Sequence, residues 1–290
     1  MSVSETTTFN SLTGMFMKKI TLCALLSLFA FSNYAAAGPV TSGFNNLGTV
    51  EVCDDCYTPE VTLGFNANYF GNTFDTTYVS NNGYVTFGSG QGTYTPTGLT
   101  ANYLGAPIIA PFFSDVDTRA AAGGTVTYGN GTYAGQNAFG VTWNQVGYFA
   151  SRDDKLNTFQ LILVDRNATG AGNFDIYFNY DQVQWETGEA DLGVGGLGGI
   201  SASVGFANGS GAAGTYNQLA GSLVNGALLD GGIHSLAAGS NNGVTGQYLF
   251  QVRNGVITSV PEPETYAMLV AGLGLVGAMS RRRQRSKAAV

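Results

Sequence analysis

Apolar and polar positions alternate through most of the middle of the chain. Phe174, Ile176, Phe178 and Tyr180 interleave with Asn173, Asp175, Tyr177 and Asn179, the period of two expected of a strand with one buried face. Thr77 to Ser80 and Tyr84 to Gly88 flank Asn81-Asn82-Gly83, a hairpin signal because Asn and Gly accept positive φ at low cost. Further Asn-Gly pairs stand at Asn130-Gly131, Asn208-Gly209, Asn225-Gly226, Asn242-Gly243 and Asn254-Gly255. Thr125 to Tyr128, Phe139 to Trp143, Thr158 to Val164, Ala202 to Phe206 and Gln247 to Arg253 also read as strands. No stretch between the two ends carries a sustained, capped helical period. The pattern predicts an all-β chain with a single antiparallel β-sandwich or barrel-like domain, of about 220 residues, a size such folds reach as one unit.

The two ends break this pattern. Lys18 and Lys19 precede an apolar run from Ile20 to Phe31, and Ala35-Ala36-Ala37 stands before Gly38-Pro39. That order predicts a secretory signal helix over residues 1–37, cut by signal peptidase between Ala37 and Gly38, with Ala35 as the second small residue of the site. The Thr-rich residues before Met17 lack Lys and Arg, so Met17 is the expected true start. At the other end, Tyr266 to Met279 is apolar and Arg281, Arg282, Arg283, Arg285 and Lys287 follow. A helix of this length spans about 21 Å, short against a hydrocarbon core of about 30 Å. Local thinning and snorkelling arginines make a transmembrane helix feasible, and the positive-inside rule puts the arginines on the cytoplasmic side.

Pro261-Glu262-Pro263, the apolar stretch and the cluster of Arg281, Arg282 and Arg283 occur in that order at the terminus. Residues 261–290 resemble the PEP-CTERM sorting signal of Gram-negative bacteria. The resemblance implies processing by an exosortase at the inner membrane, then a cell-surface or exopolysaccharide-associated destination. The two prolines would keep the segment before the helix extended and open to cleavage.

Charge is unevenly spread. Residues 38–260 hold 16 acidic and 5 basic side chains, a net charge of −11, whereas the whole chain is at −7. An acidic, Lys-poor domain does not bind nucleic acid by neutralising phosphates. It suits solubility outside the cell, cation binding, or contact with basic or neutral surfaces.

Several ordered blocks carry a second resemblance. Phe70 to Phe87, Ile108 to Thr118, Trp143 with Val146-Gly147-Tyr148-Phe149, Asn157 to Gln160, Asp175-Ile176, Asn179-Tyr180, Gln184 to Gly188 and Ala202 to Phe206 resemble a nidogen-like (NIDO) extracellular domain. In animals this module belongs to matrix and adhesion proteins, so the resemblance implies a binding or structural role. The cysteine-rich modules that usually accompany it are missing from this sequence, and partner identity does not transfer.

Candidate chemistry is sparse. Asp115 and Asp117 place two carboxylates on one side of an extended segment, with Ser114 and Asp75 as further oxygens. They are candidate ligands for Ca²⁺, which takes six to eight oxygens; the competing reading is that Asp115 caps a turn. Cys53 and Cys56 are the only cysteines outside the signal segment. A local disulfide is the default in an oxidising compartment, with free thiols as the alternative. Trp185-Glu186 and Asp153-Asp154 could pair carboxylates beside an aromatic sugar platform, yet neither sits in a catalytic motif. His234 lies in a loop-like Gly231-Gly232-Ile233-His234-Ser235 setting without a nucleophile elbow. The glycine-rich runs around residues 193–199 and 209–214 lack the Lys and following helix of a phosphate loop and read as flexible surface loops.

The sequence therefore points to an exported, non-catalytic protein with no cofactor beyond the candidate Ca²⁺. Its expected role is adhesion or the organisation of exopolysaccharide, through contact with that polymer or with matrix proteins. A secreted polysaccharide-acting hydrolase and a purely structural matrix component are the alternatives.

Overall fold

Strand-forming alternation is realised as two antiparallel sheets. The computed structural model describes residues 39–99, 105–259 and 272–273. Met17, the cleavage residues Ala35, Ala37 and Gly38, and the sorting residues Pro261, Glu262, Pro263, Arg281, Arg282 and Arg283 all lie outside the described residues. So do the expected signal helix and all but two residues of the apolar tail. Among the described residues no helix is long and apolar enough to cross a membrane.

In chain order the strands are β1 (Gly48–Thr49), β2 (Val61–Tyr69), β3 (Asn72–Ser80), β4 (Tyr84–Thr86), β5 (Ile108–Phe113), β6 (Val116–Asp117) and β7 (Thr125–Tyr133). They continue as β8 (Gln136–Tyr148), β9 (Arg152–Asp165), β10 (Phe174–Val183), β11 (Ser203–Ala207), β12 (Tyr216–Gln218), β13 (Gln247–Arg253) and β14 (Val256–Ser259). The larger sheet has the order β1-β7-β8-β9-β10-β13-β14, with β6 also paired to β8, and the smaller runs β12-β11-β5-β4-β3-β2.

The main core lies between the sheets. Val79, Val85 and Phe112 from the smaller sheet join Trp143, Phe159, Leu161, Ile176 and Phe178 from the larger in one buried cluster. The rings of Phe112 and Phe159 stand 5.3 Å apart across the interface. Each such aromatic removed from water contributes about 1.5–3 kcal/mol. On β10 the alternation works as the sequence predicts: Phe174, Ile176, Phe178 and Tyr180 enter this core, while Tyr177 joins a smaller cluster on the outer face of the larger sheet.

That outer cluster explains why one Asn-Gly pair does not form a turn. Phe44, on the segment before β1, packs over the sheet with Ala138, Ile162 and Val164. A Cβ at Gly140 would overlap the Phe44 ring, and one at Gly131 would stand 3.1 Å from it. Asn130-Gly131 is thus held inside β7 to admit Phe44, and the β7–β8 hairpin turns instead at Ala134-Gly135, both with positive φ. Asn254-Gly255 does make the expected two-residue turn, between Arg253 and Val256.

β5 contains Pro111 at its middle, a position a central strand rarely tolerates. Its partner β11 is irregular between Ser203 and Gly205 at that point, so no ladder donor is required of residue 111. The Pro111 carbonyl accepts a hydrogen bond from the Tyr180 hydroxyl at 2.6 Å, tying the two sheets together.

Candidate functional site

A polar cluster forms where the β3–β4 turn, the segment after β5 and the loop before β2 converge. The turn residues Asn81 and Asn82 are wholly buried, unlike those of an ordinary surface hairpin. Gly83 has φ +81° and lies so near β5 that a Cβ would overlap the Phe112 carbonyl oxygen. The Trp143 indole donates to the carbonyls of Ser80 (3.2 Å) and Asn81 (2.9 Å). Asn82 then accepts from the Val116 amide through Oδ1 (2.9 Å) and donates to Asp55 Oδ1 (2.9 Å).

The loop before β2 is closed by a disulfide between Cys53 and Cys56. Its carbonyls and amides are tied down by Asn81 N to Cys56 O (3.0 Å) and Thr118 N to Cys53 O (3.0 Å). The bridge therefore brackets Asp54 and Asp55 in a fixed turn. Among the described residues, Asp54, Asp55 and Asp115 each offer a carboxylate oxygen within 4.8 Å of the others. Asp115 is 1% exposed, whereas Asp55 reaches solvent. Asp115, a candidate from the sequence, thus joins two aspartates whose ligating potential sequence reasoning missed. Asp75 and Ser114 do not belong to this group: Asp75 is exposed on β3, and the Ser114 hydroxyl donates to the Glu186 carbonyl.

Asp117 sits differently. It accepts from the Arg119 guanidinium with both oxygens, at 2.8 and 2.6 Å, and from the Ser151 amide at 2.7 Å. Burial pushes its pKa up, but these hydrogen bonds outweigh that and hold it below the usual carboxylate range. Arg119 also reaches Asp54 Oδ2 at 3.0 Å.

A further carboxylate, Asp191, comes from the glycine-rich segment. It is buried and accepts from the Thr95 hydroxyl at 2.6 Å. That segment is not the loose surface loop its composition suggests: Cβ atoms at Gly193 and Gly196 would press on Thr187 and on Trp185 and Tyr148. Four buried oxygens in and around the cluster have no hydrogen-bond partner among the described residues, namely Asp54 Oδ1, Asp115 Oδ2, Asp191 Oδ2 and Asn81 Oδ1.

Burial first, and like charge second, raise two of these carboxyls. Burial, then the charges of Asp54, Asp191, Asp55 and Asp117, push Asp115 up to about 8. Burial, then Asp117 and Asp55, push Asp54 up to about 6 against the pull of Arg119. A carboxyl raised in the folded state stabilises fully below its unfolded pKa and loses that contribution as pH rises through the folded value. In chelator, the melting temperature is therefore expected to fall by several degrees between about pH 5 and pH 8.5, and Asp115→Asn should flatten the profile. Differential scanning calorimetry across that range checks it.

The residues weighed for hydrolysis are placed otherwise. Trp185 and Glu186 are both buried. Glu186 accepts from the amides of Gly226 (2.8 Å) and Gly198 (3.3 Å), so its carboxylate pins two loops together. Asp153 and Asp154 line a separate surface cleft of about 410 Å³ with Arg152, Glu189 and Gly195. His234 lines another, of about 340 Å³, beside Leu219 and Tyr248.

The model of the nidogen-like domain matches residues 75–254. The chain belongs to the nidogen-like domain family. A PEP-CTERM protein-sorting motif matches residues 259–284. Mouse alpha-tectorin is 32% identical over 179 residues, covering 54% of this chain and 8% of that protein. Human alpha-tectorin is 30% identical over 181 residues, with the same coverages. Nidogen of Drosophila melanogaster is 30% identical over 209 residues, 64% of this chain and 14% of that protein. The chain thus spans only a small part of these relatives, and no solved structure matches it. In this nidogen-like domain the matched region includes the β3–β4 turn, Asp115 and Asp191, while Cys53 to Cys56 precede it. The domain and the sorting motif together mark an exported surface or matrix protein.

Proposed function

We propose that this protein is a non-catalytic adhesion module of the extracellular matrix. In this reading an exosortase processes the tail at the inner membrane of a Gram-negative cell, signal peptidase removes the leader, and the mature domain holds exopolysaccharide at the cell surface. The observation that carries it is a pair of loops presenting aliphatic side chains to solvent. Leu192, Val194 and Leu197 stand on one loop and Val224 and Ile233 on the other, with Val194 82% and Ile233 84% exposed. The Glu186 carboxylate and a bond from Asn225 Nδ2 to the Gly199 carbonyl (3.2 Å) hold the loops side by side. Exposed apolar groups rimmed by polar ones are the usual mark of a contact surface. The acidic cleft beside Gly195 supplies hydroxyl-binding groups next to it.

Cosedimentation of the purified protein with the host's own exopolysaccharide tests the proposal, with polymer length followed by size-exclusion chromatography. The expected result is cosedimentation without shortening, and about a tenfold loss of binding in Val194→Ser/Ile233→Ser at unchanged melting temperature. Shortened polymer would favour the hydrolase instead. Absence of binding to polymer or matrix protein would leave a purely structural component.

A further inference from the structure

The acidic cluster has features that repulsion alone does not explain. Asp54, Asp55 and Asp115 come from segments 60 residues apart, yet their oxygens lie within 4.8 Å of one another. Arg119 is the basic side chain that pairs with the cluster, and it is shared between Asp54 and Asp117. Two buried groups outside the trio also keep an oxygen without a partner among the described residues. The Asn81 amide head donates to the carbonyls of Cys53 (3.4 Å) and Val116 (2.9 Å), the neighbours of Asp54 and Asp115, and its Oδ1 is unbonded. Asp191, 3% exposed, donates its amide to the carbonyl of Gly188 (3.3 Å), a glycine at which a Cβ would overlap Asp115 Oδ2, and its own Oδ2 is unbonded among the described residues. Orphaned buried oxygens are rare in folded proteins and call for a cation, a water or a proton.

We propose that Asp54, Asp55 and Asp115, with Asp191 and Asn81 behind them, form a binding site for one calcium ion. All the donors are oxygens, the set that hard cations select. The three oxygens lie close enough together for one ion to bridge them. Calcium accepts an irregular set of carboxylate, amide and water oxygens, whereas magnesium demands near-ideal octahedral geometry and sheds its water reluctantly. Solvent-exposed Asp55 provides the entry path and leaves the remaining positions to water. The ion would cross-link the disulfide turn, the segment after β5 and the glycine-rich loop. This site is distinct from the aliphatic loops of the adhesion reading, and its existence does not depend on that reading.

The test uses the full chain, stripped with EDTA and titrated with CaCl₂ or MgCl₂ by calorimetry and thermal melting. One calcium per chain is expected, with a dissociation constant of roughly 0.1–1 mM, as for extracellular modules. At about 10 mM calcium the melting temperature should rise by about 4 °C, with less than half that shift in magnesium. Asp115→Asn and the exposed Asp55→Asn should each weaken calcium at least tenfold, while Asp153→Asn, outside the cluster, should retain the shift. No calcium-dependent shift in the unaltered chain, an equal shift with magnesium, or a full shift in both cluster variants would overturn the assignment.

Discussion

Replacing Gly83 by alanine is expected to destabilise the domain by roughly 4 kcal/mol or more, enough to leave little soluble protein. Two costs combine there. An L-residue at φ +81° is strained by about 1–2 kcal/mol. The larger cost is steric, because the new methyl would overlap the Phe112 carbonyl oxygen and stand 2.7 Å from its carbon, within the fully buried β5. The Gly83 carbonyl also accepts the Phe112 amide at 3.1 Å, so the turn cannot retreat without breaking that bond. Gly88→Ala supplies the matched control: φ is +79° there, and a Cβ meets nothing within 4 Å. Its expected cost is only about 1 kcal/mol. Urea denaturation of the pair separates backbone strain from overlap. Equal losses would mean that β5 does not approach the turn as described.

The second large effect is expected at Trp143. The indole is fully buried and stacks on Phe159, with centroids 5.0 Å apart and planes 14° from parallel. Trp143→Ala should cost about 3–5 kcal/mol through the cavity it leaves. Trp143→Phe keeps an aromatic ring but leaves the Ser80 and Asn81 carbonyls without their indole donor. About 1–3 kcal/mol is expected from that loss. Hydrogen exchange provides the more specific readout: the amides of Asn82 and Val116 should lose protection in Trp143→Phe more than those of β10.

Much of the sheet structure was legible because its determinants are local. The alternation on β10, the span of β13 and the turn at Asn254-Gly255 each follow from residues adjacent in sequence. Where the determinant is distant, the local reading stops. Asn130-Gly131 has the chemistry of a turn but sits in a strand, because Phe44 from the start of the domain needs the space. The β5 segment, uniformly buried and carrying Pro111, shows no alternation at all. The same division holds at the cluster. Asp115 stood out as part of an acidic pair, but Asp54 and Asp55 read only as the spacer between two cysteines. Asp191 was hidden beside a glycine-rich run, and nothing local says that residues 54 and 115 meet or that Gly188, which the Asp191 amide bonds, abuts Asp115.

The Cys53–Cys56 bridge has a temporal consequence. Asp54 and Asp55 are held in their turn by a bond that forms only where thiols are oxidised. A chain with both sulfurs reduced would hold the same acids by hydrogen bonds, among them those from the Asn81 and Thr118 amides. Oxidation after export would add a covalent lock to a turn that these hydrogen bonds have already shaped.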